Sequence, residues 1–410
     1  MATRTIANGG GNYNSTGTWV EGSVPTSADD VVATGTSGAL TVTAAAAAKT
    51  LILTGYASTL TINTSQTLTV SGDVNLASGM TYAGAGTLAV AATATLTANG
   101  ITVSGGLTLA TAVTYTLADN WGVSGILTTG AANTSTYTIN GNQLSAATHW
   151  THPGGAVVGT TIIALTGTGT WTTSGLFTRY CSNPISINTT GTITLASAGP
   201  VLAGNTVTYV SGTVVSTGST IRISGNVTLT GSWPTLAHIT FGASGTLTCD
   251  NNLTMSGTLY VLANYTAVLA GVDFSCATLI IEHNAALKLP NSKTLTITTG
   301  IQTYKSATAT TVISSTTASV SSTILYTGAT SGQKIVGMNF TDIIATNVLW
   351  NVFGGTLTRT SGITNTNYKQ GDYTDPGEAQ VATGTSYLYQ GATKNGSYAG
   401  GGSTVIVIED

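Results

Sequence analysis

"SQTLTVSGDVNL", residues 65–76, alternates Thr with Leu and Val, stops at Gly72, and resumes with Val74 and Leu76. Neighbouring side chains of an extended strand point to opposite faces, so Leu68 and Val70 share one face and Thr67 and Thr69 the other. The phrase recurs as "GALTV" (38–42), "STLTI" (58–62), "GTLAV" (86–90), "ATLTA" (94–98), "GGLTL" (105–109), "GTITL" (191–195), "GTLTC" (245–249), "GTLYV" (257–261), "KTLTI" (293–297) and "GTLTR" (355–359). Leu40, Leu68 and Leu96 follow at intervals of 28 residues, as do Leu60 and Leu88. A fixed period in the range of roughly 20–50 residues marks solenoids and propellers. The strands are three to six residues long, too short for a sandwich or lipocalin-like barrel, and hairpin dipeptides are sparse. The expected fold is all-β: a parallel β-helix (β-solenoid) of two or three short strands per coil. Inward aliphatics would stack in one core, Leu40 over Leu68, with outward Thr, Ser and Asn in ladders.

Only 6% of the residues are charged, against about 25% in an ordinary domain. Thr, Ser, Asn and Gly fill the polar positions. Abundant β-branched residues and a net charge of −3 are the reverse of a disordered composition. The eleven Lys and Arg stand singly from Arg4 to Lys394, so no basic patch points to nucleic acid. No run approaches the roughly 18 apolar residues of a membrane helix, and membrane insertion is not expected. The start, "MATRTIANGGGNYN", has no apolar h-region, which leaves use without Sec export or a trimmed signal. Cys181, Cys249 and Cys276 are widely spaced and lack a CxxC, which favours three small buried hydrophobes over a disulfide framework or zinc site.

Three segments are expected. Residues 1–37, with Trp19, Pro25, Asp29 and Asp30, read as a cap that blocks end-to-end stacking. Residues 38–364 read as the solenoid, interrupted over 140–185 where "THWTHPGG" and "RYCSNP" suggest a loop or bend. Residues 365–410 concentrate charge, Tyr and Gly and read as a small C-terminal β module. The run "TAAAAAKT" (43–50) fits either a helical turn or a tight coil corner.

The opening "GNYNSTGTWVEGSVPTSADDVV", followed by "LTVTAAAAAKTLILTG" and "QTLTVSGDVNL", resembles β-helical repeat proteins of tailed-bacteriophage virions and some bacterial surface adhesins. The stretch "DPGEAQVATGTSYLYQGATKNGS" (375–397) is similar to a short C-terminal module of phage virion proteins. The resemblance implies a non-enzymatic virion structural protein: a tail fibre or spike, or a capsid-attached decoration, assembled in the host cytoplasm. Its implied partners are copies of itself in a homotrimer, other virion proteins, and a host surface polysaccharide. A bacterial surface adhesin or sheath subunit is the alternative, and a polysaccharide-degrading tailspike the second. The resemblance designates no catalytic residue, no cofactor and no metal.

Glycoside hydrolysis generally uses two carboxyl groups about 5–10 Å apart, and no Asp or Glu lies between Asp119 and Asp250. Asp73, Asp119, Asp250, Asp273 and Glu282 occur singly, with Asp250 and Asp273 about one coil apart as the best intrachain pair and solvated turns as their ordinary role. Arg222 and Lys288, considered for a lyase, have no acidic cluster nearby. His149 and His152 have a spacing that shares one face of a helical turn, without a third ligand. Trp150 between them suits a recognition loop or packing. Asp372, Asp375 and Glu378 offer oxygen ligands without a regular calcium pattern. The Gly triplets at 9–11 and 400–402 lack the strand–helix context of a phosphate loop. Tyr13, Trp19, Trp121, Trp150, Trp171 and Trp233 are candidates for stacking on sugars, with packing favoured. Asn14, Asn63, Asn133, Asn188, Asn226 and Asn252 begin glycosylation triplets that chance explains in so Thr-rich a chain.

Overall fold

The computed structural model describes residues 2–109, 113–130, 136–173, 176–304, 311–317, 320 and 322–328. Beyond them it describes the strands Gln333–Lys334, Met338–Thr341, Ile343–Thr346, Leu357–Thr358, Tyr387–Gln390 and Val405–Ile408. The chain forms two compact units, 1–216 and 217–410. Both are parallel β-solenoids, with about 13 turns between them.

In the first unit each coil lays down three short strands, one per face. One coil runs from Asp30–Val32 on the first face through Leu40–Val42 on the second to Ala46–Ala48 on the third. The next begins at Thr50–Ile52, which pairs in parallel with Asp30–Val32. Alternation decides what goes inside: in Thr67–Val70 Leu68 and Val70 are fully buried, and the two Thr stay half-exposed. Each inward residue rests on its counterpart one coil away. Val31, Leu51, Val74, Leu96 and Leu117 form a column on the first face. Leu68, Leu88, Leu107 and Leu127 form one on the third. Burying such a side chain contributes about 1.5–3 kcal/mol, and each column repeats that gain coil after coil.

The 28-residue spacing is not the coil. Leu40 pairs with Leu60, Leu68 with Leu88, and Leu96 with Leu117, so a coil is about twenty residues. Leu40, Leu68 and Leu96 lie on three different faces, and Leu40 does not stack on Leu68. The apparent period is one coil plus the step of eight from one face to the next, as from Leu60 to Leu68. Parallel stacking survives this correction; the choice of partners does not.

Corners account for the punctuation of the opening phrase. Ser65 turns the chain with φ +65°, Gly72 closes the strand, and Asp73 accepts the Thr95 N–H of the next coil at 2.7 Å. At another corner Gly86, Gly105 and Gly125 stand one above another. A Cβ on Gly105 would lie 1.9 Å from the Gly86 carbonyl oxygen, and one on Gly125 2.5 Å from the backbone of Gly105. The alanine run is a strand of one coil, Ala46–Ala48, paired with Leu68–Val70, and no helix forms there.

Strand length departs from expectation where two faces join without a corner break. Ile185–Leu195 pairs with both Ile163–Leu165 and Gly169–Thr173. In the second unit Leu253–Val261 likewise spans two faces, with a register shift between Met255 and Thr258. The region 140–185 keeps the coil: His149–His152 and Ala156–Val158 are strands, and Cys181 bridges Val157 and Leu202. Of residues 365–410, only the parallel pair Tyr387–Gln390 and Val405–Ile408 lies within the described residues.

The first 37 residues contribute strands to the first coil and then cover its edge. Thr3–Thr5 pairs with Asp30–Val32, and Gly11–Asn12 with the start of Leu40–Val42. Residues 18–21 fold back antiparallel: Ala7 N–H donates to Thr18 O, Val20 N–H to Thr5 O, and Thr5 N–H to the Glu21 carboxylate at 2.8 Å. Tyr13 and Trp19, both buried, meet edge-to-face at 5.0 Å. The Tyr13 hydroxyl donates to Ala47 O, and Trp19 Nε1–H to Tyr13 O. Unpaired edge groups that would template another chain are thereby occupied.

Two outcomes follow from this geometry. Gly105→Ala should lower the stability of the first unit by about 3 kcal/mol, whereas Gly17→Ala, with nothing within 4 Å of its Cβ, should shift it by less than about 0.5 kcal/mol; urea midpoints read both. The double substitution Trp19→Ala/Glu21→Ala should expose the first edge and produce concentration-dependent association in analytical ultracentrifugation. A size distribution the same as that of the wild type at every concentration would refute the capping role.

Candidate functional site

Acidic residues are the groups on which chemistry would depend, and all eight described carboxylates hold the fold together. Glu21 and Asp73 bond as given above. Asp29 accepts Ala2 N–H and Thr26 N–H, both at 3.0 Å, and lies 3.7 Å from Arg4 Nε. Asp30 accepts the Thr50 hydroxyl and faces Lys49 Nζ at 3.8 Å. Asp119 takes the N–H groups of Ala98 and Asn99 at 2.7 and 2.5 Å. Glu282 takes Ala263 N–H at 2.9 Å and the Tyr260 hydroxyl.

Asp250 and Asp273 are not brought together as a pair. Register sets Phe274 on Leu253, which puts Asp273 on Asn252 rather than on Asp250. Asp250 turns to Gly231 N–H, 3.0 Å from each oxygen, and Asp273 turns the opposite way to Thr294 N–H at 2.8 Å. The Gly231 N–H holds the Asp250 carboxyl below the usual carboxylate range. A general acid needs the reverse shift. Arg222, on the strand Thr220–Ile223, and Lys288, exposed on Ala286–Leu289, belong to different ladders.

The two histidines part because their segment is a strand. At a spacing of three, strand side chains point to opposite faces. His149 is exposed, with Nδ1 accepting Thr170 N–H, while His152 is buried. His152 Nδ1 lies 2.7 Å from Thr129 O and Nε2 3.1 Å from Gly155 O. A neutral ring donates to only one of these carbonyls. Burial drives the His152 pKa below the ordinary histidine value, with Arg179 adding to the effect and the two carbonyls opposing it.

The aromatic candidates form core. Trp121, Trp150 and Trp171 are at most 2% exposed, and Trp150 stacks on Trp171 one coil away at 4.9 Å and 17°. Trp150 Nε1–H donates to Thr129 Oγ1 at 2.8 Å. Trp233 is half-buried and donates to Thr230 O. Of the six, only Trp233 keeps a partly open ring. Cys181, Cys249 and Cys276 are buried free thiols, as read from the sequence, and burial pushes each pKa up to about 12. Among the described residues no group of three His, Cys, Asp or Glu could hold a metal ion. No described helix is long and apolar enough to cross a membrane. Asn14, Asn63, Asn188, Asn226 and Asn252 are exposed. Asn133, Asp372, Asp375 and Glu378 lie outside the described residues.

A cluster with no signal in the local sequence sits outward on the second unit. Register aligns Arg222, Thr240, Tyr260, Ile280 and Gln302 on successive coils. Tyr260 donates to Glu282; burial and this carboxylate push its pKa up to about 12. These residues are far apart in sequence, and only the coil length of about twenty would have aligned them. The chain matches no protein-family model, no curated protein and no solved structure.

Asp119→Ala should free two N–H groups and cost about 1 kcal/mol at this half-exposed corner, with Asp119→Asn losing less because one acceptor remains; denaturant titration measures both. For His152 the folded pKa is lowered, so its contribution is complete above the unfolded value of about 6.5. It is lost as pH falls through that value toward the folded one, by at most about 1.4 kcal/mol per pH unit. The urea midpoint followed by Trp150 and Trp171 fluorescence should fall from pH 7 to pH 5. In His152→Asn that component of the slope should vanish.

Proposed function

We propose that this chain is a non-enzymatic structural protein of a bacteriophage virion, a fibre, spike or capsid-attached decoration. In this reading the coils supply stiffness and protease resistance, and copies associate with one another, a trimer being the favoured assembly. The observation that carries it is the use of the carboxylates: each described one is tied to a backbone N–H or a neighbouring hydroxyl that secures a corner or an edge. Groups spent in this way are anchored in the ground state, and moving one to act on a substrate would open a corner. Tyr13, Trp19, Trp121, Trp150 and Trp171 work inward for the same end. The terminal stretches 11–32 and 375–397, which resemble phage virion sequences, supply the setting. Contact with a host surface polysaccharide belongs to the proposal as a partner of the assembled particle.

The test is made on the intact assembly and on the purified chain. Labelling with an antibody to the chain should decorate phage particles in electron micrographs, and the purified protein should sediment as an oligomer. A monomer absent from particles would overturn the proposal. Release of oligosaccharide from host capsule, abolished by Glu282→Gln, would replace it with a depolymerase.

A further inference from the structure

Where the chain of the first unit passes from the first face to the second, polar residues stand one coil above another. Register places Asn99, Asp119, Asn142, Thr161, Asn183 and Asn205 in that column. The first three reach solvent. Thr161 and Asn183 are 0% exposed and Asn205 6%.

The Asn183 amide nitrogen donates to Ile139 O at 3.0 Å and Thr161 O at 3.1 Å, and that of Asn205 to Asn183 O at 3.2 Å. These bonds fix the amide orientations, because turning either over would set its oxygen against a carbonyl oxygen. Both Oδ1 atoms therefore face away from those carbonyls. Neither accepts a hydrogen bond from the protein, and Thr161 Oγ1 is likewise without a partner. Buried polar atoms find a protein or water partner in the great majority of cases. Three in succession at one corner constitute a pattern.

The chemistry of the occupant follows from its surroundings. Two of the oxygens only accept, so the occupant must donate; the third, a hydroxyl, can do either. No carboxylate stands between residues 119 and 250, and a buried cation without a counter-charge is strongly disfavoured. Coils are about 4.7–4.9 Å apart, a gap spanned by one oxygen roughly 2.8 Å from each neighbour. We infer that this corner binds a file of ordered water molecules, one between successive coils from Thr161 to Asn205. They complete the hydrogen bonding where the outer column turns inward.

Thr161→Val keeps the shape and removes the hydroxyl. With water bound there, the variant should unfold at lower urea than the wild type, and the number of long-lived waters seen by magnetic relaxation dispersion should fall. Thr161→Ser should retain the wild-type count of long-lived waters. An unchanged or raised midpoint in Thr161→Val with an unchanged water count would overturn the inference. A wild-type midpoint that shifts when sodium replaces potassium at fixed ionic strength would assign the site to a cation instead. If Thr161→Val does not fold, the wild type decides: no long-lived water in full-length protein refutes the file.

Discussion

The parallel hydrogen bond from each coil to the next, made in register, is the constraint on which everything else rests. It sets every side chain about 4.7–4.9 Å from its counterparts above and below. A residue is acceptable only if it is compatible with the residues stacked directly above and below it. Leu, Val and Ile satisfy this inside by packing, and Thr, Ser and Asn outside by exchanging hydrogen bonds. A column of like charges does not: two unit charges at about 4 Å repel by about 1 kcal/mol in bulk water and by more near a protein surface. A chain with 6% charged residues is what such stacking tolerates.

The same constraint explains what became of the chemically capable residues. A strand meets the next coil at its flanks, and corners leave N–H groups whose direct partners are missing. Asp73, Asp119, Asp250, Asp273 and Glu282 each sit at such a place and each accept one or two of them. Trp150 and Trp171 show the interior counterpart. Large rings one coil apart are forced face to face, and the stack at 4.9 Å adds about 0.5–1.5 kcal/mol to the burial of both.

Stacking also creates ends, and the first end is closed with polar precision. Glu21, the Val20 N–H and the Tyr13 hydroxyl occupy the groups that a further coil would use. Tyr13 and Trp19 lie buried against that coil. Within the coils, the close approach of Gly86, Gly105 and Gly125 shows how little room a corner has when three copies of it are superposed.

The local code was legible in the residues themselves. Alternation of Leu and Val with Thr determined short strands, inward aliphatics and outward hydroxyls, because side-chain direction on a strand depends on nothing beyond the strand. Repetition determined that they stack in parallel, and wide spacing without a CxxC foretold three buried thiols. Which coil lies on which was a matter for tertiary structure: the corners are not all one length, so 28 residues can be a coil plus a face, and Leu40 found Leu60 instead of Leu68. The same ambiguity hid the separation of Asp250 from Asp273 and the alignment of Tyr260 with Gln302. Likewise "HWTH" follows one rule as a helical turn and another as a strand, and only pairing with Ile126–Thr129 and Gly169–Thr173 sent His149 outward and His152 into the core.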